Sequence, residues 1–287
     1  MTTAGIGPNS LAAALALGNH GLHATSDSAA LDSEVLLMHV LGCDRSHLRA
    51  WPEKQLTMGQ TREYEALIER RRQGWPIAYL TGQREFWSRP FRVAPGVLIP
   101  RPETELLIEL ALVAIPADQT ADLLDLGTGS GIIAITLAVE RPRSKVTAVD
   151  ISAEALAIAK INADRHAARH PRFLQGDWLT PLPPGERFDL IVSNPPYIAE
   201  DDPHLRYGDL RHEPREALAC EGNGLSALHT IIEQARDFLK PGGALLLEHG
   251  HDQADKVAEL MRLNGYVDIA HHADLQGHRR AAMARYP

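Results

Sequence analysis

Between Ala121 and Tyr286, short apolar runs alternate with helical stretches, and one junction carries Asp125-Leu126-Gly127-Thr128-Gly129-Ser130-Gly131. A strand over residues 123–126 runs into this loop and a helix over 132–139 leaves it. Glycines at alternate positions allow a sharp turn and let a ligand press against main-chain N–H groups where the helix begins. Asp150 closes the next strand, Val146-Thr147-Ala148-Val149-Asp150. It falls about 20 residues after the glycines, where a carboxylate accepts the ribose hydroxyls of an adenosine. A nucleoside cofactor is therefore expected.

Further strands are read over 172–174, 188–193, 244–247, 266–270 and 281–286, with helices over 152–168 and 225–239 and a last one ending near Leu263. Repeated strand–helix units of this kind give a mostly parallel sheet covered by helices on both faces. The first part of the chain has a different grammar. Leucines and alanines recur at three- and four-residue steps, with helices over 11–17 (ending at Gly18) and 31–41 (ending at Gly42). A third opens at Thr57, with Gln60 at capping-box spacing, and stops at Gly74. Residues 1–74 are read as a helical domain and 75–100, rich in Pro, Gly and aromatics, as a linking β-hairpin. Residues 101–287 are read as the α/β domain, opening on a helix at Pro102 that runs to about Ala114.

Composition narrows the options. The chain has 287 residues, 44% hydrophobic and 23% charged, which suits a globular protein. Cys43 and Cys220 are its only cysteines, and His20, His23, His39 and His47 are scattered, so no metal site is expected. No apolar run reaches the roughly 20 residues needed to span a bilayer. The first basic residue is Arg45, so the apolar 11–17 stretch lacks a signal peptide's basic flank. A cytoplasmic protein without a membrane partner is expected, a monomer by default. The net charge of −8 argues against duplex nucleic acid as a partner. Against that balance stand Arg70, Arg71, Arg72, Arg84, Arg89 and Arg92, read either as a solvated face or as a contact for an acidic partner.

The chemistry is carried by Asn194-Pro195-Pro196-Tyr197, directly after the 188–193 strand. A planar amide or exocyclic amine is a poor nucleophile because its lone pair is delocalised. The Asn194 side-chain oxygen and the Pro195 carbonyl, two acceptors on a rigid loop, suit the two N–H bonds of such a group, and Tyr197 suits its flat face. In an open α/β sheet, ligands bind beyond the carboxyl ends of the strands. A fourth strand adjacent to the first therefore brings the glycine loop and Asn194 to one crevice. A dinucleotide loop has G-x-G-x-x-G spacing, and the G-x-G-x-G here disfavours an NAD-dependent oxidoreductase. The spacing resembles instead the loop of S-adenosylmethionine-dependent methyltransferases. In those enzymes the residues after the third strand hold adenine, a place taken here by Asp177 and Trp178.

Along nearly its whole length the chain resembles the peptide chain release factor N5-glutamine methyltransferases. The resemblance rests on the glycine loop, on Ile99-Pro100-Arg101-Pro102-Glu103-Thr104-Glu105, on Val192-Ser193-Asn194-Pro195-Pro196-Tyr197-Ile198, and on Glu213-Pro214 and Leu246-Leu247-Glu248-His249-Gly250. It implies a seven-stranded Rossmann-like methyltransferase sheet with a small all-α N-terminal bundle and a connecting hairpin. It implies methyl transfer from S-adenosylmethionine to the glutamine of the Gly-Gly-Gln motif in class I release factors. Gly127, Thr128, Gly129, Ser130, Gly131, Asp150, Asp177, Trp178 and Asn194 would contact the cofactor. Asn194, Pro195, Pro196 and Tyr197 would hold the glutamine, and the bundle would help grip the release factor. The tetrad alone is shared with enzymes that methylate adenine at N6, which is the alternative. A non-catalytic cofactor-binding module is a further one.

Overall fold

The computed structural model describes residues 7–168 and 171–287. They form two compact units: the described residues up to Gly82 together with Tyr207–His212, and Gln83–Arg206 together with Glu213–Pro287.

The first unit holds α1 (Leu11–Leu22), α2 (Ala29–Leu41), α3 (Arg45–Ala50), α4 (Met58–Arg72) and α5 (Ile77–Thr81). Ser10 caps α1, Asp44 caps α3, and Thr57 with Gln60 forms the expected capping box on α4. Leu11, Leu36, Leu37, Leu48 and Tyr64 meet in the core. Gly18 does not end a helix, as its composition suggested, but lies inside α1. A Cβ there would fall 2.1 Å from the Tyr64 hydroxyl and 2.6 Å from Ser33 Oγ, so glycine is needed for close packing. Arg71 bridges Asp32 at 2.7 Å and Asp209 at 2.8 Å, and Trp75 stacks on His212 with centroids 4.8 Å apart. Arg70 lies over Trp75 and Arg72 pairs with Glu69, so these three arginines already have intramolecular partners.

The second unit opens on the hairpin β1 (Gln83–Phe86) and β2 (Arg89–Arg92), then α6 (Glu105–Ala114), β3 (Asp122–Leu126), α7 (Ile132–Glu140), β4 (Lys145–Asp150), α8 (Ala153–Arg165), β5 (Arg172–Gln175) and β6 (Phe188–Ser193). The short β7 (Ile198–Ala199), α9 (Arg215–Leu218), β8 (Ala219–Cys220) and single turn α10 (Glu221–Gly224) follow. Last come α11 (Ser226–Ala235), β9 (Leu239–Glu248), α12 (Ala254–Leu263), β10 (Val267–Ala273) and β11 (Arg279–Arg285). Seven strands form one sheet in the order β10-β11-β9-β6-β3-β4-β5, parallel except for β11, which runs antiparallel to both its neighbours. One face packs against α6 and α7 around Leu107, Ile108 and Ile135, the other against α11 and α12 around Leu228, Ile232 and Val257.

Several element boundaries differ from the sequence reading. The stretch after Trp75 contains α5 before the hairpin, and the hairpin belongs to the second unit, where Phe86 and Phe91 join its core. The compact units thus part at Gly82, where the sequence reading parts domains at 74 and at 100. The 225–239 helix stops at Ala235 and tightens into a 3-10 turn, Arg236–Phe238. β9 starts at Leu239, ahead of the Lys240-Pro241-Gly242-Gly243 turn signal, because the chain makes an irregular step there and stays paired with β6. Among the described residues no helix is long and apolar enough to cross a membrane.

Gly131 sits at φ +85°, and a Cβ there would lie 2.6 Å from Ile135 Cδ1 and 3.1 Å from Ala159 Cβ. Gly131→Ala combines left-handed strain with overpacking and is expected to lower unfolding free energy by about 2–4 kcal/mol. Urea melts check this, and an unmoved midpoint would contradict the packing role.

Candidate active site

β3 and β6 are neighbours in parallel register, Asp125 opposite Val192 and Leu126 opposite Ser193, and the Ser193 hydroxyl donates to the Leu126 carbonyl at 2.7 Å. The loops leaving these two strands therefore emerge side by side. A cavity of about 480 Å³ opens there, and its walls include Gly127, Gly129, Asp150, Asp177, Trp178 and Asn194.

The glycine loop is held from beneath. Asp125 Oδ2 accepts from the Thr128 hydroxyl at 2.6 Å and from the Ala134 N–H at 3.1 Å, and burial pushes its carboxyl up to about 7. Gly127 and Thr128 donate their N–H groups to the Val149 carbonyl. Gly127 and Gly129 have positive φ, and a Cβ at Gly127 would stand 3.5 Å from the Trp178 ring. Asn162, a residue the sequence reading did not single out, is fully buried on α8. Its amide donates to the Ser130 and Arg92 carbonyls and its oxygen accepts from the Arg92 N–H, which joins loop and hairpin.

Asp150 reaches the cavity from the end of β4. Its Oδ2 accepts the Gly129 N–H at 2.7 Å and its Oδ1 the Ser152 N–H at 2.9 Å. Burial raises its pKa against these backbone bonds. A carboxylate offers about four lone-pair sites, so part of its accepting capacity remains for an incoming ligand. Ile151 and Trp178 add apolar walls beside it. Vicinal hydroxyls on the carboxylate, a planar base on the apolar walls and Cβ-free backbone along the loop are what a nucleoside requires, and these residues fit one.

Asn194 borders the same cavity, and its Nδ2 donates to Thr104 Oγ1 at 3.0 Å. Pro196 lines it as well, while Pro195 is buried and does not. The Tyr197 hydroxyl donates to Glu248 at 3.0 Å and its carbonyl accepts from Gln253 at 2.9 Å. The ring is thus tethered at its far end rather than free to swing. Burial and the Glu248 carboxylate hold its phenol above the ordinary value. Thr128, Ser130 and Gly131 lie outside the cavity lining and act on loop shape.

Two wall segments were missed as site residues. Gly96, Val97 and Leu98 after the hairpin close one side, and Pro214, Glu216 and Ala217 another. Buried Glu213 joins them, accepting from the Ile99 N–H at 2.9 Å and the Arg101 guanidinium at 2.5 Å. The signal was present as Glu213-Pro214, but no spacing rule links it to residue 99. His249 is fully buried against the Gly250 carbonyl and His271, burial pushes it down to about 4, and it does not line the cavity. Among the described residues no cluster of His, Cys, Asp and Glu is fit to hold a metal.

Comparison with known proteins bears on this geometry. The family model described as the PrmC N-terminal domain matches residues 13–82, and a methyltransferase domain model matches 117–284. The release factor glutamine methyltransferase of Vibrio cholerae is 49% identical over 265 residues, covering 91% of this chain and 91% of that protein. Its Escherichia coli counterpart is 47% identical over 261 residues, 91% of this chain and 94% of its own. Among solved structures, a methyltransferase from Pyrococcus furiosus aligns at TM-score 0.53 and 19% identity, over 77% of this chain and 97% of that one. A 16S rRNA methyltransferase of T. thermophilus, in complex with AdoMet and guanosine, aligns at TM-score 0.51 and 18% identity, over 71% of this chain and 50% of its own. At these identities the structural likeness bears on the fold alone.

Burial pushes Glu248 up to about 7, opposed by hydrogen bonds from Thr104 and Tyr197 and by Arg280, and reinforced by Glu103. The folded protein then keeps a proton that the unfolded chain releases near its ordinary value of 4.5. This stability is complete below that value and lost as pH rises through about 7. Denaturant melts are expected to show wild-type protein losing ground to Glu248→Gln between about pH 5 and about pH 8. A wild-type advantage that grows with pH would contradict the assignment.

Proposed function

The chain belongs to the release factor glutamine methyltransferase family, and on that premise we propose that it methylates the side-chain amide nitrogen of the Gly-Gly-Gln glutamine in class I peptide chain release factors. The reading is carried by one observation: Asn194 lies on the wall of the cavity that also holds Asp150 and the glycine loop. S-adenosylmethionine, when bound, supplies an electrophilic methyl group. Asp150 holds the ribose hydroxyls, and Gly127 and Gly129 let the backbone approach the ligand. Trp178 and Ile151 flank the base and Asp177 hydrogen-bonds its edge.

At the other end, the Asn194 oxygen on the cavity wall accepts one N–H bond of the glutamine amide. The Pro195 carbonyl and the Tyr197 ring, both outside the cavity lining, serve as second acceptor and as support for the amide's flat face once substrate is bound. Held so, the nitrogen lone pair turns out of conjugation toward the methyl carbon. As the nitrogen–methyl bond forms, the sulfur–methyl bond breaks and a neutral thioether leaves, and one N–H proton then passes to water. Rate enhancement comes from positioning and electrostatics, with no base needed before transfer. The helical unit serves to grip the release factor, in the cytoplasm where translation ends.

Labelled methyl transfer from S-adenosylmethionine tests this, with release factor, a Gln→Ala variant of its Gly-Gly-Gln motif and duplex DNA offered in parallel. Label is expected on the intact factor alone, and label on DNA or on the alanine variant would overturn the substrate. Asn194→Ala is expected to lower kcat by about 10²–10³-fold, the size of losing one preorganised polar contact to the reacting group. Asp150→Ala is expected to weaken S-adenosylmethionine binding by about 1–3 kcal/mol in calorimetry, the penalty for losing charged hydrogen bonds. Unaltered affinity would remove the ribose assignment.

A further inference from the structure

Behind Asn194 lies a chain of hydrogen bonds that never reaches the cavity. Thr104 is fully buried and Glu248, at the carboxyl end of β9, is 1% exposed. The Glu248 Oε2 takes the Thr104 hydroxyl at 2.8 Å and its Oε1 takes the Tyr197 hydroxyl at 3.0 Å. At pH above about 7, past its raised titration point, Glu248 is a carboxylate and only accepts hydrogen bonds. The Thr104 proton is therefore committed to Glu248, and what Thr104 presents to Asn194 is a lone pair. Only the nitrogen end of the Asn194 amide can meet it, as it does at 3.0 Å.

We propose that Thr104 and Glu248 are positioning residues that fix which end of the Asn194 amide faces the cavity, making the site selective for a substrate nitrogen that offers N–H bonds. This rests on the functional reading above and deepens it. With the nitrogen end of its amide turned to Thr104, Asn194 keeps its carbonyl oxygen unspent as the acceptor for a substrate N–H. A reversed amide would set oxygen against lone pair at Thr104 and NH₂ against NH₂ at the substrate, two repulsive contacts in place of two bonds. The same carboxylate holds Tyr197, so one buried group orients both ends of the Asn194–Tyr197 tetrad.

The polarity of the relay can be altered with little change of shape. Thr104→Val removes the hydroxyl and keeps the volume. Thr104→Ser keeps the hydroxyl. Glu248→Gln introduces a donor that can turn the Thr104 proton toward Asn194. Thr104→Val and Glu248→Gln are expected to lower kcat for the release factor by about 10–100-fold, the range typical when a supporting partner of a site ligand is removed. Calorimetric affinity for S-adenosylmethionine should stay within about twofold, because neither residue lines the cavity. Thr104→Ser is expected to recover most of the lost rate.

An independent readout is the Asn194 side-chain NH₂ pair in ¹⁵N–¹H spectra of the free protein, assigned by its disappearance in Asn194→Asp. It should shift in Thr104→Val and Glu248→Gln and return in Thr104→Ser. Wild-type kcat in Thr104→Val, or a Thr104→Ser protein as slow as Thr104→Val, would overturn the relay. If wild-type protein leaves the release factor unlabelled, the functional reading fails instead. The Asn194 resonances then decide the relay alone, and resonances unmoved by Thr104→Val reject it.

Discussion

Leu126 and Ser193 face each other in the parallel pair of β3 and β6, and the buried Ser193 hydroxyl donates to the Leu126 carbonyl. The chain builds β4 and β5 on one side of β3, then returns to lay β6 on its other side. Strand order reverses at that point, and the loops leaving β3 and β6 diverge to opposite faces with a crevice between them. The glycine loop, Asp150 and Asn194 occupy one cavity for this reason. Had β6 paired elsewhere, the cofactor loop and the tetrad would be separate motifs on one sheet.

Buried polar side chains then tie distant segments to that crevice. Asp125 reaches Thr128 and Ala134, Asn162 joins the Ser130 loop to the hairpin, and Glu213 joins the wall at Ile99 and Arg101 to its own segment. Glu248 joins Thr104 to Tyr197. A polar group buried without partners is destabilising by about 1–3 kcal/mol, so each carboxylate or amide specifies its neighbours more narrowly than an apolar residue would. The cost appears in the carboxyls of Asp125 and Glu248, both pushed up to about 7 by burial.

The arginine-rich run shows how far composition reaches. Six arginines in a short span suggested either a solvated face or a contact for an acidic partner. Arg71 and Arg72 pair with acids of their own unit, Arg70 lies over Trp75, and Arg89 pairs with Glu140 in the second unit. Asp209, the second partner of Arg71, lies 138 residues away in sequence, in a 3-10 helix (Gly208–His212) that composition gives no reason to place beside α4.

The glycine spacing, the carboxylate closing the second strand and the Asn194–Tyr197 tetrad were legible because each is a local pattern. Backbone conformation and strand alternation act over a few residues, so they are written in adjacent letters. The α/β class, the capping box at Thr57 and the candidate residues Gly127, Gly129, Asp150, Trp178 and Asn194 follow from the sequence on that ground. Tertiary structure alone decided that Gly18 packs against Tyr64, that Thr128, Ser130 and Gly131 support the loop rather than line the cavity, and that residues 96–98 and 214–217 wall it. It alone placed Glu248 behind Thr104, 144 residues away. Those partners meet through the order of strands in the sheet, and hydrogen bonds between segments so far apart leave no periodicity for a sequence to display.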